Sequence, residues 1–150
     1  MTSCRVSRVL LTMLSLAALG SSLSAQAVEL NGLKGLESIF GRYAPGGDCK
    51  RQPQVVVDVT GLTFEVGGKQ EKVTNPEQAL EYAGPDYDGP AVWLFPFRLG
   101  DGYSVMMAFN DDAQPGTLTI TPHDEGYPGG PKLSPRNQAL VSGSPYRRCR

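Results

Sequence analysis

Between Ala91 and Asn110 the chain reads AVWLFPFRLGDGYSVMMAFN, two runs of aromatic, β-branched and methionine residues joined by Gly100-Asp101-Gly102. A short glycine-containing connection between such runs is the sequence form of a tight turn, so this stretch predicts a β-hairpin that the rest of the chain must cover. In the first run Trp93, Phe95, Phe97 and Leu99 share one face and Val92 and Leu94 the other, which suits a strand in the middle of a sheet. Pro96 cannot donate to a ladder, so a bulge or an unpaired side is expected there. The second run alternates Tyr103, Val105, Met107 and Phe109 with Ser104, Met106, Ala108 and Asn110.

The same period of two recurs upstream. Val55, Val57 and Val59 alternate with Val56, Asp58 and Thr60, Gly61 breaks the run, and Leu62, Phe64 and Val66 alternate with Thr63 and Glu65. Strands with one wetted face read this way. Gly67-Gly68-Lys69 turns the chain into a third short strand near Gln70 to Val73, and Leu118 and Ile120 among threonines mark another. Two helix starts carry a cap followed by proline: Asn75-Pro76, stopped by Gly84-Pro85, and Ser134-Pro135, ending near Gly143. Leu30, Leu33, Leu36, Phe40 and Tyr43 are spaced for one helix face, giving way to a strand around Ile39, although Gly32, Gly35 and Gly41 each weaken a helix by about 1 kcal/mol. The expected fold is mainly β, a small antiparallel β-barrel or curled sheet, lipocalin-like or a meander, with one or two short helices and one disulfide.

Residues 1–27 read as a secretory signal peptide: Arg5 and Arg8, an apolar run from Val9 to Leu19, then Ala25-Gln26-Ala27. That run is shorter than the roughly 20 apolar residues of a bilayer span, so no membrane span is expected after cleavage, and residues 28–150 form a single domain. The protein is then periplasmic or secreted. Cys4 leaves with the signal, and in an oxidising compartment Cys49 and Cys149 are expected to pair. Without Arg5 and Arg8, 12 basic residues face 15 acidic ones, a balance that speaks against a nucleic-acid partner.

Chemistry-bearing patterns are sparse. His123 stands in a Gly/Pro-rich loop beside Asp124 and Glu125, and no nucleophile-elbow motif accompanies Ser104 or Ser134, so no catalytic residue is assigned. Cys-x-x-Cys and paired histidines are absent, and Asp86-Tyr87-Asp88-Gly89 opens like a calcium loop without the later ligands. Neither a metal nor a cofactor is expected. Three groups remain as candidates: an acidic rim of Asp86, Asp88, Asp111 and Asp112, whose loops fall at one end of the hairpin; a basic patch of Lys50, Arg51, Arg147, Arg148 and Arg150, gathered by the disulfide; and an apolar pocket of Trp93, Phe95, Phe97, Tyr103 and Phe109.

Together these features predict a non-enzymatic binding module whose partner is a protein or cell-envelope component. In architecture such a domain is similar to the small exported β-barrel inhibitors of lysozyme, whose acidic loops meet a cationic enzyme; the likeness implies no contact residue. The other expectation is a carrier of a small apolar ligand inside a β-barrel.

Overall fold

The computed structural model describes residues 27–79, 88–126, 128 and 130–150. Its strands are β1 (Ala27–Glu29), β2 (Gly41–Pro45), β3 (Gln54–Asp58), β4 (Gly61–Val66), β5 (Lys69–Val73), β6 (Glu77–Ala79), β7 (Val92–Phe95), β8 (Arg98–Leu99), β9 (Gly102–Tyr103), β10 (Val105–Phe109), β11 (Thr117–Pro122) and β12 (Tyr146–Arg148). Ten of them form one antiparallel sheet in the order β1-β6-β7-β10-β11-β12-β2-β3-β4-β5, curled into a half-barrel; β8 and β9 make a separate two-stranded ribbon. One helix, α1 (Pro135–Ser142), packs on the sheet. The mainly β, disulfide-closed fold expected from the sequence is the one observed. The segment expected to be a signal peptide lies outside the described residues apart from Ala27, which pairs with Ala79 in β1. Among the described residues no helix is long and apolar enough to cross a membrane.

The β3–β4–β5 meander follows from its alternation. Val55, Val57, Leu62 and Phe64 are buried to 2% exposure or less, while Val59, at the turn, is 52% exposed. Gly61 has φ 138° and a Cβ there would sit 2.2 Å from Val73 O, so only glycine lets β5 pass this close. Gly67 and Gly68, both at positive φ, form the two-residue turn into β5.

The hairpin expected between residues 91 and 110 forms but is interrupted. Val92, Trp93 and Leu94 pair with Phe109, Ala108 and Met107. The ladder stops at Pro96, as its missing N–H requires, and the chain peels away as the β8–β9 ribbon turned at Gly100-Asp101. Val92 and Leu94 point inward with Val105, Met107 and Phe109, joined across β11 by Leu118 and Ile120.

Two local expectations need correction. The helix expected from Asn75 is strand β6 over Glu77–Ala79, because pairing with β1 on one side and β7 on the other outweighs the capping signal; the remainder of that expectation, residues 80–87, lies outside the described residues. The short helix expected before Tyr43 is a single 3₁₀ turn, Glu37–Ile39, between β1 and β2, and the strand expected around Ile39 starts at Gly41. Gly32, Gly35 and Gly41 adopt φ of 72°, 93° and 144°, all outside the helical range. The C-terminal residues Tyr146–Arg148 add a strand that no alternation announced: β12 inserts between β11 and β2. The Ser134 signal holds, its side chain accepting from Asn137 N at the start of α1.

Cys49 and Cys149 are disulfide-bonded with Cα atoms 5.8 Å apart, and Cys149 N donates to Arg42 O at 2.7 Å, continuing the β12–β2 pairing. Inside the curl, Tyr43, Tyr146, Phe64 and Phe109 are at most 1% exposed. Both buried phenols are satisfied: Tyr43 Oη donates to Ile39 O at 2.9 Å and Tyr146 Oη to Leu140 O at 2.6 Å.

Candidate functional site

The five aromatic candidates do not surround one space. Phe109 meets Tyr43 edge-on in the core, with ring centroids 5.5 Å apart. Phe95 faces the other side of the sheet, stacked on Tyr103 at 4.3 Å, with the His123 ring 4.7 Å away. Phe97, beyond the Pro96 break, leans on Phe64 at 4.8 Å. Trp93 is half-buried on the face opposite Leu94.

Around Phe95 the polar groups form a closed network. Tyr103 Oη donates to Glu77 Oε2, Arg98 Nη1 lies 3.3 Å from Glu77 Oε1, and Asp124 Oδ2 accepts from Tyr103 N at 2.5 Å. Burial, and then the adjacent Glu77 carboxylate, push the Tyr103 phenol up to about 12, so it holds its proton throughout the neutral range. His123 Nε2 is 3.8 Å from Asp124 Oδ1. Among the described residues no hydrogen bond joins the His123 ring to Ser104 or Ser134; the latter hydroxyl is used as the helix cap.

At the end of the sheet where β10 turns into β11, acidic and basic candidates adjoin. Asn110 ties the loops together, donating from Nδ2 to Pro90 O at 3.3 Å and accepting from Gly116 N at 2.8 Å, which brings the Asp88 loop to the exposed Asp111-Asp112 turn. Asp86 lies outside the described residues. Just beyond that turn Pro115 and Gly116 share a 280 Å³ hollow with Arg147, Arg148 and Arg150. The Arg148 guanidinium caps the interior, 5.6 Å over the Tyr43 ring, and donates to Ser38 O at 2.5 Å. Lys50 and Arg51 are exposed near the disulfide. Arg147, Arg148 and Arg150 thus adjoin the turn that carries Asp111 and Asp112.

A larger recess, unannounced by any motif, lies at the other end, where β5 and the peeled-off chain after Pro96 diverge. It is a groove of about 760 Å³ between Lys69, Gln70 and Glu71 on one wall and Ser134, Pro135 and Arg136 on the other. A second recess of about 370 Å³ shares Glu71, Ser134 and Arg136 with it and extends to Phe97 and Lys132. Arg136 organises both: its guanidinium stacks 3.8 Å over Phe97 and pairs with Glu71. The Ser134-Pro135 cap located the start of α1 in the sequence, but nothing in it says that this helix end faces β5. No protein-family model matches the chain, and neither a curated protein nor a solved structure is matched.

Proposed function

We propose that this protein is an exported, non-enzymatic binding module that engages a protein or cell-envelope component through its outer surface, the rigid half-barrel serving as scaffold. The observation that carries the reading is the filled interior. Tyr43, Phe64, Met107, Phe109, Ile120 and Tyr146 occupy it at 1% exposure or less, so recognition falls to recesses and loops on the outside. Interior packing of this kind also speaks against carriage of an apolar ligand. The Asp88 and Asp111-Asp112 loops make a cationic enzyme such as a lysozyme the first partner to test.

The test is titration of the purified protein with a cationic muramidase at about 0.01 M salt, where the Debye length is roughly 30 Å. Binding that weakens as salt rises, and whose association slows several-fold when Asp111 and Asp112 become asparagine, supports the reading. Absence of both binding and inhibition removes the lysozyme form of it.

A further inference from the structure

One edge of the β5–β6 segment is covered for only part of its length. Val66 and Lys69 flank a two-residue turn and so exchange hydrogen bonds. Every second residue repeats the pattern, so Lys69, Glu71 and Val73 direct their backbone groups at β4. Val73 O, close against Gly61, fits that alternation. Gln70 and Lys72 therefore direct theirs at the opposite edge. Further along, that edge is filled: Gly32 N donates to Thr74 O at 2.9 Å, Leu30 N to Pro76 O at 2.8 Å, and β1 pairs with β6 beyond. At Gly32, φ 72°, the covering chain turns off, and Leu33 N donates instead to Val59 O. The N–H and C=O groups of Gln70 and Lys72 are left without partners among the described residues.

We propose that this open edge binds an extended acidic segment of a partner protein, which adds to β5 as an antiparallel strand in line with Ala27–Gly32. Two donors and two acceptors at alternate residues are what a strand-adding peptide needs, and the 760 Å³ groove beside them takes its alternate side chains. Charge selects the peptide. Glu71 is engaged by Arg136, whereas Lys69 and Lys132 line the paired recesses with no carboxylate partner among the described residues. Lysines on an edge strand keep identical copies apart, and the same lysines favour an acidic strand. The proposal rests on the reading of the protein as a binding module and places the contact at a surface separate from the Asp111-Asp112 loop.

The probe is a dye-labelled peptide of four Glu-Val repeats, added to the purified protein and followed by fluorescence anisotropy and amide hydrogen exchange. The Gln70 and Lys72 amides exchange freely without peptide and slow at least tenfold with it. Gln70→Pro, which removes an edge N–H that β4 does not use, weakens binding at least tenfold, while Gln70→Ala changes it less than twofold. Should Gln70→Pro fail to fold, peptides N-methylated at one or the other set of alternate residues carry the same comparison, since only one set faces β5. Amides already protected in the free protein, equal binding of a Lys-Val peptide, no binding, or indifference to which set is methylated would each overturn the proposal. Dimerisation abolished by Gln70→Pro would do so too, by assigning the edge to a second copy. None of these failures touches a muramidase complex made through Asp111 and Asp112, so the broader reading is judged separately.

Discussion

The β3–β4–β5 meander and the β7–β10 hairpin use the same material, alternating apolar residues and glycine turns, yet only the first runs as an uninterrupted ladder. Its five-residue pairings close on two-residue turns at Val59-Thr60 and Gly67-Gly68. The second loses its ladder at Pro96: Phe97 to Leu99 pair in a separate ribbon, while Tyr103 O and Ser104 O still accept from Asp124 N and His123 N. One missing N–H separates them. The divergence that Pro96 starts opens the gap that Phe97 and Arg136 fill, and the larger external groove lies beside that gap. A regular ladder builds scaffold, and its interruption builds surface.

If the two regions differ this way, equal chemistry removed from each should cost unequally. Phe109→Ala, inside the regular part of the sheet at 0% exposure, is expected to destabilise by about 3–5 kcal/mol, whereas Phe97→Ala, only partly buried at the gap, should cost about 1–2 kcal/mol. Urea unfolding followed by tryptophan fluorescence reads both. Equal losses would mean that Phe97 belongs to the core proper and that the gap is not a separate region.

Within the meander the two turns can be ranked as well. Gly61→Ala places a Cβ 2.2 Å from Val73 O at φ 138°, for an expected loss of about 3 kcal/mol or more. Gly67→Ala meets no atom within 4 Å and suffers only its φ of 58°, about 1 kcal/mol. Chemical denaturation of the two variants side by side checks the order.

The contrast between these regions also marks what could be read in the sequence. Val55, Val57, Leu62 and Phe64 announced their strands because alternation is a local property, and Ser134 announced α1 because a cap bonds within its own first turn. Cys49 and Cys149 could be paired because only these two cysteines fall outside the residues expected to form a signal peptide. Pairing across the sheet is another matter. Glu77 to Ala79 carried a helix-cap signal that β1 and β7 overrode, and Tyr146 to Arg148 looked like a tail because three residues hold too little pattern to declare a strand. Of the candidate surfaces, the Asp111-Asp112 loop and the arginines of the tail were visible as charge clusters, but not that they adjoin. The groove was invisible, since Glu71 and Arg136 stand 65 residues apart and meet only through the fold.

The two hairpins should respond to pH in opposite directions. In the meander, the Asp58 carboxyl is held below its ordinary value by the Thr60 hydroxyl and then the Thr60 N–H; its contribution is present above the unfolded-state value near 3.8 and is lost as pH falls through the lowered one. In the interrupted hairpin, Tyr103 is raised from 10.0 to about 12; its contribution is complete below pH 10 and is lost as pH climbs toward 12. Thr60→Val should therefore flatten the acid limb of a stability–pH curve, and Tyr103→Phe the alkaline limb. Absorbance titration of the phenols adds a direct reading, with Glu77→Gln bringing Tyr103 down.

The smallest effect is expected at the gap itself. Glu71 is half-exposed where it pairs with Arg136, so Glu71→Gln should cost no more than about 0.5 kcal/mol, and Arg136→Ala, which also gives up stacking on Phe97, about 1 kcal/mol. A double-mutant cycle isolates the pair. A coupling well above 1 kcal/mol would show that the ion pair clamps β5 to α1, and an incoming strand would then have to break it. A coupling of a few tenths leaves Glu71 and Arg136 free to re-pair around a bound peptide at little cost, the condition that binding along Gln70 and Lys72 requires.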